Sequence, residues 1–251
     1  MSSFRIIPTL LLKKGGLVKG QSFANHKYVG DPINAVRIFN AKEVDELFFF
    51  DIESTLNGEH IDLDVVSKLA NECYMPFAVG GGINSIDLIS RLIELGVEKV
   101  VINSYAISEP DFIKEAAETF GSQAIVVCID YKSDKNGLKK VFLNSSTKET
   151  DYDALKFAKL CSEMGAGELV LNSIEKDGMQ NGFDIDFIKK VSDLVSVPVI
   201  GGCGAGNLSH FKSLKLSTNA SAGTGGSFFV FHGPLNAVLI SYPKKSEINN
   251  L

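Results

Sequence analysis

Short apolar runs rich in β-branched and aromatic residues alternate with amphipathic segments along the whole chain, a pattern that predicts parallel strands joined by helices. Eight runs read as strands: "RIIPTLLL" (5–12), "ELFFFDI" (46–52), "PFAVG" (76–80), "KVVIN" (99–103), "AIVVCID" (124–130), "ELVLNS" (168–173), "PVIGG" (198–202) and "ASAGTGG" (220–226). The last is glycine-rich and poor in β-branched residues, so its assignment follows from the count of units. Helical periodicity lies between the runs. In "SIDLISRLIELG", Ile86, Ile89, Leu92 and Ile93 fall on one face and Gly96 supplies the stop; in "DLDVVSKLANECY", Leu63, Val66, Leu69 and Ala70 form the stripe. Eight such units in 251 residues predict a (β/α)8 TIM barrel rather than an open doubly wound sheet. No Pro-, Gly- or Ser-rich linker divides the chain, so residues 1–251 read as one domain.

The two halves echo one another, as half-barrels of about 1–122 and 123–251. "RIIPTLLLKK" resembles "IVVCIDYKSD" (125–134), "FFFDIEST" (48–55) resembles "LVLNSIEKDG" (169–178), and "AVGGGINSID" (78–87) resembles "VIGGCGAGNL" (199–208). Under that symmetry Leu11 is the partner of Asp130.

Composition narrows the function classes. With 45% hydrophobic and 22% charged residues the chain is of ordinary globular type, and a formal net charge of -5 gives no electrostatic footprint for nucleic acid or an anionic membrane. Cys73, Cys128, Cys161 and Cys203 are far apart, with no C-x-x-C spacing for zinc or a disulfide framework, and are expected to be buried free thiols. His26, His60, His210 and His232 share no metal spacing and are expected in surface or capping roles. Neither a metal nor another cofactor is expected, because "GGCGAGN" lacks the context of a dinucleotide fingerprint. With no signal core and no apolar run long enough to span a bilayer, a cytoplasmic location is expected.

In a barrel of this kind the chemistry stands at the C-terminal strand ends, and phosphate sits on the N–H groups of glycine-rich turns. The strand-end residues are Leu11, Asp51, Gly80 to Gly82, Asn103, Asp130, Asn172, Gly202 to Gly204 and Ser227. The turns "GGGINS" and "GGCGAGN", at half-barrel spacing, predict two phosphate sites and hence a bisphosphorylated small molecule. Asp130 is the candidate general acid or base, with Asp51 similar in placement. Lys19, in a basic glycine-containing loop after the first strand, is the candidate to close over a phosphate or polarise a carbonyl.

Together, "RIIPTLLLKKGGLVKG", "VGDP" (29–32), "VDELFFFDIEST", "PFAVGGGINS", "GVEKVVINSYAI", "FGSQAIVVCIDYK", "GAGELVLNSIEKDGMQNGFD" and "SVPVIGGCGAGNL" resemble the HisF family, the cyclase subunit of imidazole glycerol phosphate synthase, over residues 4 to about 242. The resemblance implies a (β/α)8 barrel paired with a HisH-like glutaminase, receiving ammonia through its interior. In that family the ammonia attacks a bisphosphorylated formimino-aminoimidazole carboxamide ribotide, giving imidazole glycerol phosphate and an aminoimidazole carboxamide ribotide. Two aspartates serve as acid and base there. One falls on Asp130; the other falls on Leu11, which can neither donate nor accept a proton. The family's phosphate positions fall on Gly82, Asn103, Ser104, Asp177, Gly178, Gly204 and Ser227, and its ammonia gate on Arg5, Glu46, Lys99 and Glu168.

Other departures accompany Leu11. Cys203 stands in the second phosphate loop, where the cyclase usually has Ser before paired glycines, and "GGSFFVFHGPLNAVLISYP" (225–243) replaces the ordinary C-terminal helix pattern. These features look like the HisF-like branch linked to acetamidino or amidino modification of surface-polysaccharide sugars, in which the barrel works with a HisH-like glutaminase and a separate sugar amidotransferase. A histidine-pathway cyclase, with Lys13, Lys14 or a water on Asp51 replacing the lost acid, and a non-catalytic scaffold for the glutaminase are the alternatives.

Overall fold

The computed structural model describes residues 4–233 and 235–251. Eight barrel strands, β1 (Arg5–Lys13), β2 (Leu47–Asp51), β3 (Phe77–Gly80), β4 (Lys99–Ile102), β5 (Ile125–Ser133), β6 (Glu168–Ser173), β7 (Val199–Gly202) and β8 (Ala222–Gly225), follow one another round a closed ring. Every neighbouring pair is parallel, including β8 with β1 and β5 with β6, so no barrel edge is left open. The helices are α1 (Pro32–Ala41), α2 (Ser54–Asn57), α3 (Leu63–Glu72), α4 (Ile86–Glu94), α5 (Ser104–Ser108), α6 (Asp111–Phe120), α7 (Ala154–Glu163), α8 (Ile185–Leu194), α9 (Leu208–Ser217), α10 (Ser227–Val230) and α11 (Lys245–Ile248). The predicted barrel and all eight strand runs are present, the glycine-rich last one included.

The strands read as continuous apolar runs because both faces are covered. One face meets the helices: Ile6, Leu10, Phe49, Val100 and Leu171 join the large outer core. The other fills the barrel, where Ile7, Phe48, Ala78, Val101, Val126, Cys128, Val170, Ile200 and Ala222 form a separate buried cluster. On α4 the stripe is Leu88, Ile89 and Leu92, with Ile86 and Ile93 half-buried at its margin, and Gly96 follows the helix in the left-handed region at φ +97°. On α3 it is Val66 and Leu69, flanked by Leu63 and Ala70.

Two hairpins stand on the barrel, the first of them where the sequence was expected to form a loop. Gly16–Gln21 and Ala24–Gly30 pair with each other, and the first of them continues the register of β1 antiparallel, Leu11 opposite Val18 and Leu12 opposite Leu17. The segment bearing Lys19 is therefore a strand. Its turn, Ser22 and Phe23, has both residues at positive φ, the mirror-image geometry that suits hairpins. The second, Lys139–Leu143 with Lys148–Asp153, extends β5 and turns through Asn144, Ser145 and Ser146, all at positive φ.

The half-barrel echo holds, with one adjustment. Laid letter on letter, "FFFD" and "LVLN" match Asp51 with Asn172. In the barrel Leu11 lies opposite Phe50, and Asp130 opposite Asn172. Phe50 is thus the counterpart of Asn172, one residue from the sequence match.

The C-terminal tail runs from α10 through a short hairpin, Phe231–His232 with Ala237–Val238, and back along the barrel. Tyr242 stacks on Phe229 at 5.6 Å and donates its hydroxyl to the Ile6 carbonyl at 3.0 Å, tying the tail to β1. Pro234, within the stretch 225–243, lies outside the described residues. No helix among the described residues is long and apolar enough to cross a membrane.

Candidate functional site

A cavity of about 620 Å³ occupies the C-terminal end of the barrel. Leu11, Asp51, Asn103, Asp130, Asn172, Gly204 and Ser227 line it, together with Lys19, Asp177 and Gly178. The folded chain therefore gathers at one mouth all the residues singled out as catalytic or phosphate-binding, Gly82 and Ser104 included.

Asp130 is buried, 6% exposed, with both carboxylate oxygens hydrogen-bonded. Asn103 Nδ2 donates to Oδ2 at 3.2 Å, Asn172 Nδ2 donates to Oδ1 at 3.2 Å, and the Cys128 thiol approaches Oδ1 at 3.7 Å. Burial pushes the carboxyl up to about 6, against the opposing pull of Asn172, Cys128 and Asn103. Burial, with Asp130 adding to it, holds Cys128 well above the ordinary thiol range, so this sulfur stays protonated and able to donate. A carboxyl poised near neutrality suits general acid or base work.

The opposite wall is of another character. Leu11 stands beside Phe50, and Thr9 and Thr224 complete the counterpart of the polar set. Neither Leu11 nor Phe50 carries a carboxylate to match Asp130; the acid at this side of the mouth is Asp51, next along the strand from Phe50.

Lys19 is 7% exposed and its Nζ lies 2.7 Å from Asp177 Oδ1. Asp177 Oδ2 accepts from the Phe23 backbone N–H at 3.1 Å, and the Asp177 carbonyl accepts from Ser22 N–H at 3.0 Å. The pair clasps the first hairpin over the mouth. Asp51 accepts at Oδ1 from the N–H groups of Glu53 and Ser54, at 2.9 and 3.1 Å, which commits that oxygen to capping α2.

The glycines are demanded first by the protein itself. A Cβ on Gly82 would lie 2.1 Å from the Glu59 carbonyl oxygen, one on Gly204 2.2 Å from that of Gly182, and one on Gly178 2.3 Å from that of Gly20. All three have φ between +64° and +95°. They let neighbouring loops close against the turns, leaving Ser104 and Ser227 to open the short helices α5 and α10 at the mouth.

At the other end of the barrel four charges form a closed ring. Arg5 binds Glu46 and, at 2.7 Å, Glu168; Lys99 binds Glu46 at 2.6 Å and Glu168 at 3.0 Å. Burial alone would lower Arg5, but Glu168 and Glu46 outweigh it and the guanidinium is held above its ordinary value. Arg5, Lys99 and Glu168 each begin a barrel strand, so the ring lies at the N-terminal face beneath the apolar interior.

Two features went unread in the sequence. His26, expected at the surface, lines the mouth from the first hairpin, and burial together with Lys13 and Lys19 lowers its pKa. Asn172 appeared only as a strand end; its role shows in the fold, where it faces Gly202 across the sheet and a Cβ there would lie 2.1 Å from Asn172 Oδ1. His210 does act as a cap, its Nδ1 accepting from Gly206 N–H at 3.1 Å. Cys128 and Cys161 are buried, Cys73 and Cys203 half-buried, and all four are free. Among the described residues no group of three or more His, Cys, Asp or Glu side chains is arranged to hold a metal.

Fold and site together define a (β/α)8 barrel with a polar mouth at one end and a charged ring at the other. The profile of the histidine biosynthesis protein family matches residues 5–234. The chain is 43% identical to a provisionally named imidazole glycerol phosphate synthase subunit HisF of Leptospira interrogans, over 97% of this chain and 96% of the other. It is 43% identical to a provisionally named subunit hisF2 of the same synthase in Pseudomonas aeruginosa, over 98% of each chain. It is 40% identical to the subunit HisF of Streptococcus mutans, over 90% of each. The chain belongs to the histidine biosynthesis protein family and is a HisF-like synthase subunit within it.

Proposed function

We propose that this chain is the synthase half of a glutamine amidotransferase pair. It receives ammonia from a HisH-like glutaminase at the ring of Arg5, Glu46, Lys99 and Glu168, and leads it through the barrel to a phosphorylated small molecule in the mouth. The product serves amidination of surface-polysaccharide sugars, with a separate sugar amidotransferase as a further partner. Asp130 moves protons at the mouth; Gly82, Asn103, Ser104, Asp177, Gly178, Gly204 and Ser227 hold phosphate; Lys19 and Asp51 shape its approach.

One observation carries this reading. The ring and the apolar interior are intact, while one wall of the mouth presents Leu11 and Phe50 where the other presents Asp130 and Asn172. Loss of an acid–base group removes roughly two to four decades of rate from a reaction that needs it. A barrel that kept the passage and gave up one acid suits delivery of ammonia better than histidine-pathway cyclisation. The cyclase reading draws its own support from relatives named as imidazole glycerol phosphate synthase.

The partnership is tested by glutamine hydrolysis in a HisH-like subunit, measured alone and with this barrel. Stimulation of at least about tenfold that vanishes with Lys99→Met is expected, a change of about 1.4 kcal/mol in the barrier. A rate indifferent to the barrel would overturn the partnership.

A further inference from the structure

Each of the two asparagines that donate to Asp130 is itself backed by one residue of a different phosphate turn. On one side Ser104 Oγ donates to Asn103 Oδ1 at 3.1 Å, which leaves both Asn103 N–H groups to face Asp130 Oδ2 and, at 2.9 Å, the Cys128 carbonyl. Ser104 Oγ in turn accepts the backbone N–H of Asn144, at the tip of the second hairpin, at 3.1 Å. On the other side the Cys203 thiol approaches Asn172 Oδ1 at 3.7 Å, while Asn172 Nδ2 donates to Asp130 Oδ1 and, at 3.2 Å, to Cys128 Sγ.

The amides have one stable orientation each. Turned over, Asn103 would set its oxygen against the Asp130 carboxylate and the Cys128 carbonyl, and Asn172 would set its oxygen against the same carboxylate. A hydroxyl or thiol that donates to the amide oxygen holds the productive orientation and polarises the N–H groups toward the carboxylate.

This arrangement is particular to the residues present. Asn172 fits only because position 202 is glycine. Cys203 sits at φ +64°, in the left-handed region that favours glycine, with its sulfur beside the amide.

We propose that Asn103 and Asn172 are the positioning residues of Asp130, and that Ser104 and Cys203 are the points through which the two turns and the second hairpin act on its charge. The titratable groups ranged round Asp130 are Cys128 from β5, Cys203 from the turn after β7, and Asp177 from the loop after β6, whose charge is met by Lys19 from the first hairpin. Burial keeps both thiols protonated across the range in which Asp130 titrates.

The test uses the ligand-free full chain, so its outcome does not depend on which substrate the mouth takes. The carboxyl 13C resonances of Asp-labelled protein are followed against pH, with Asp130→Asn identifying the signal. Asn103→Ala and Asn172→Ala each raise the midpoint by about one pH unit, because a carboxylate that loses a donor is harder to ionise. Ser104→Ala and Cys203→Ala raise it by several tenths of a unit in the same direction, and Ser104→Thr and Cys203→Ser return it to the wild-type value. The proposal is overturned if either asparagine variant leaves the midpoint unmoved. It is equally overturned if the alanine variants at Ser104 and Cys203 titrate like their hydroxyl-bearing counterparts. Circular dichroism and the first hairpin's amide exchange identify any variant whose fold has changed, and the conservative variants then decide between these outcomes.

Discussion

Leu11 and Asp130 occupy equivalent places in the two halves of the barrel, each facing the mouth beside the next strand, yet one lies opposite Phe50 and the other opposite Asn172. The asymmetry is thus not confined to one side chain: an apolar pair stands in one half where the other half has an acid and the amide that donates to it.

Asp130 gives stability a pH dependence whose sign follows from burial. Its pKa rises from 3.8 to about 6 on folding, so between those values the native state binds more protons than the unfolded chain. Stability is therefore lost as pH rises through that window. In urea denaturation the unfolding free energy of Asp130→Asn should gain on that of wild type by about 2 to 3 kcal/mol between pH 4 and pH 7.5. A difference independent of pH would show that Asp130 titrates normally.

The clasp between Lys19 and Asp177 should govern the first hairpin. Both side chains are buried and 2.7 Å apart, and removal of one partner leaves a charge uncompensated at a cost of about 3 to 5 kcal/mol. Because the hairpin pairs with the barrel sheet along the end of β1 and its turn is held through Asp177, the cost is expected as local opening. Lys19→Met should speed amide exchange in residues 16–30 by at least about a hundredfold while β3 and β4 stay protected. Unchanged exchange in the hairpin would refute the clasp.

In the ring, Lys99→Met leaves Glu46 and Glu168 with Arg5 alone, and a loss of about 3 kcal/mol is expected. Adding Glu46→Gln restores the balance between Arg5 and Glu168, and the double variant should recover more than half of it. Additive losses in thermal or urea unfolding would mean that the four charges act independently.

Gly82→Ala should cost about 2 to 4 kcal/mol, from a left-handed backbone and a collision with the Glu59 carbonyl. Gly15→Ala, also left-handed but with open space around it, should cost about 1 to 2 kcal/mol. Equal losses would show that the collision is relieved by movement of the loop.

The barrel was legible in the sequence because most strands are buried on both faces and read as apolar runs, and the count of units then placed the glycine-rich last one. The half-barrel repeat then placed Leu11 against Asp130 without any coordinates. The hairpins were not legible. Their turns, Ser22–Phe23 and Asn144 to Ser146, bend through left-handed residues without glycine, and "GLVKGQ" carries too little alternation to mark a strand. Lys19 accordingly read as a loop cation, although folding buries it on Asp177. Asp51 read as a second acid from its strand-end position, but the short helix that starts three residues later claims one of its oxygens. Asn172 was hidden for a related reason, since an amide at a strand end shows its role only when the facing glycine and carboxylate are seen together.

The central claim is that the mouth has been disarmed at Leu11 while the rest of the site persists. It is tested most directly by ammonium-driven turnover of the histidine-pathway bisphosphate, measured side by side for the wild-type chain and Leu11→Asp. The account predicts a wild type at background and a variant at least roughly a hundredfold faster. A wild type that turns over at a rate the variant does not exceed would contradict it and return the chain to the histidine cyclases.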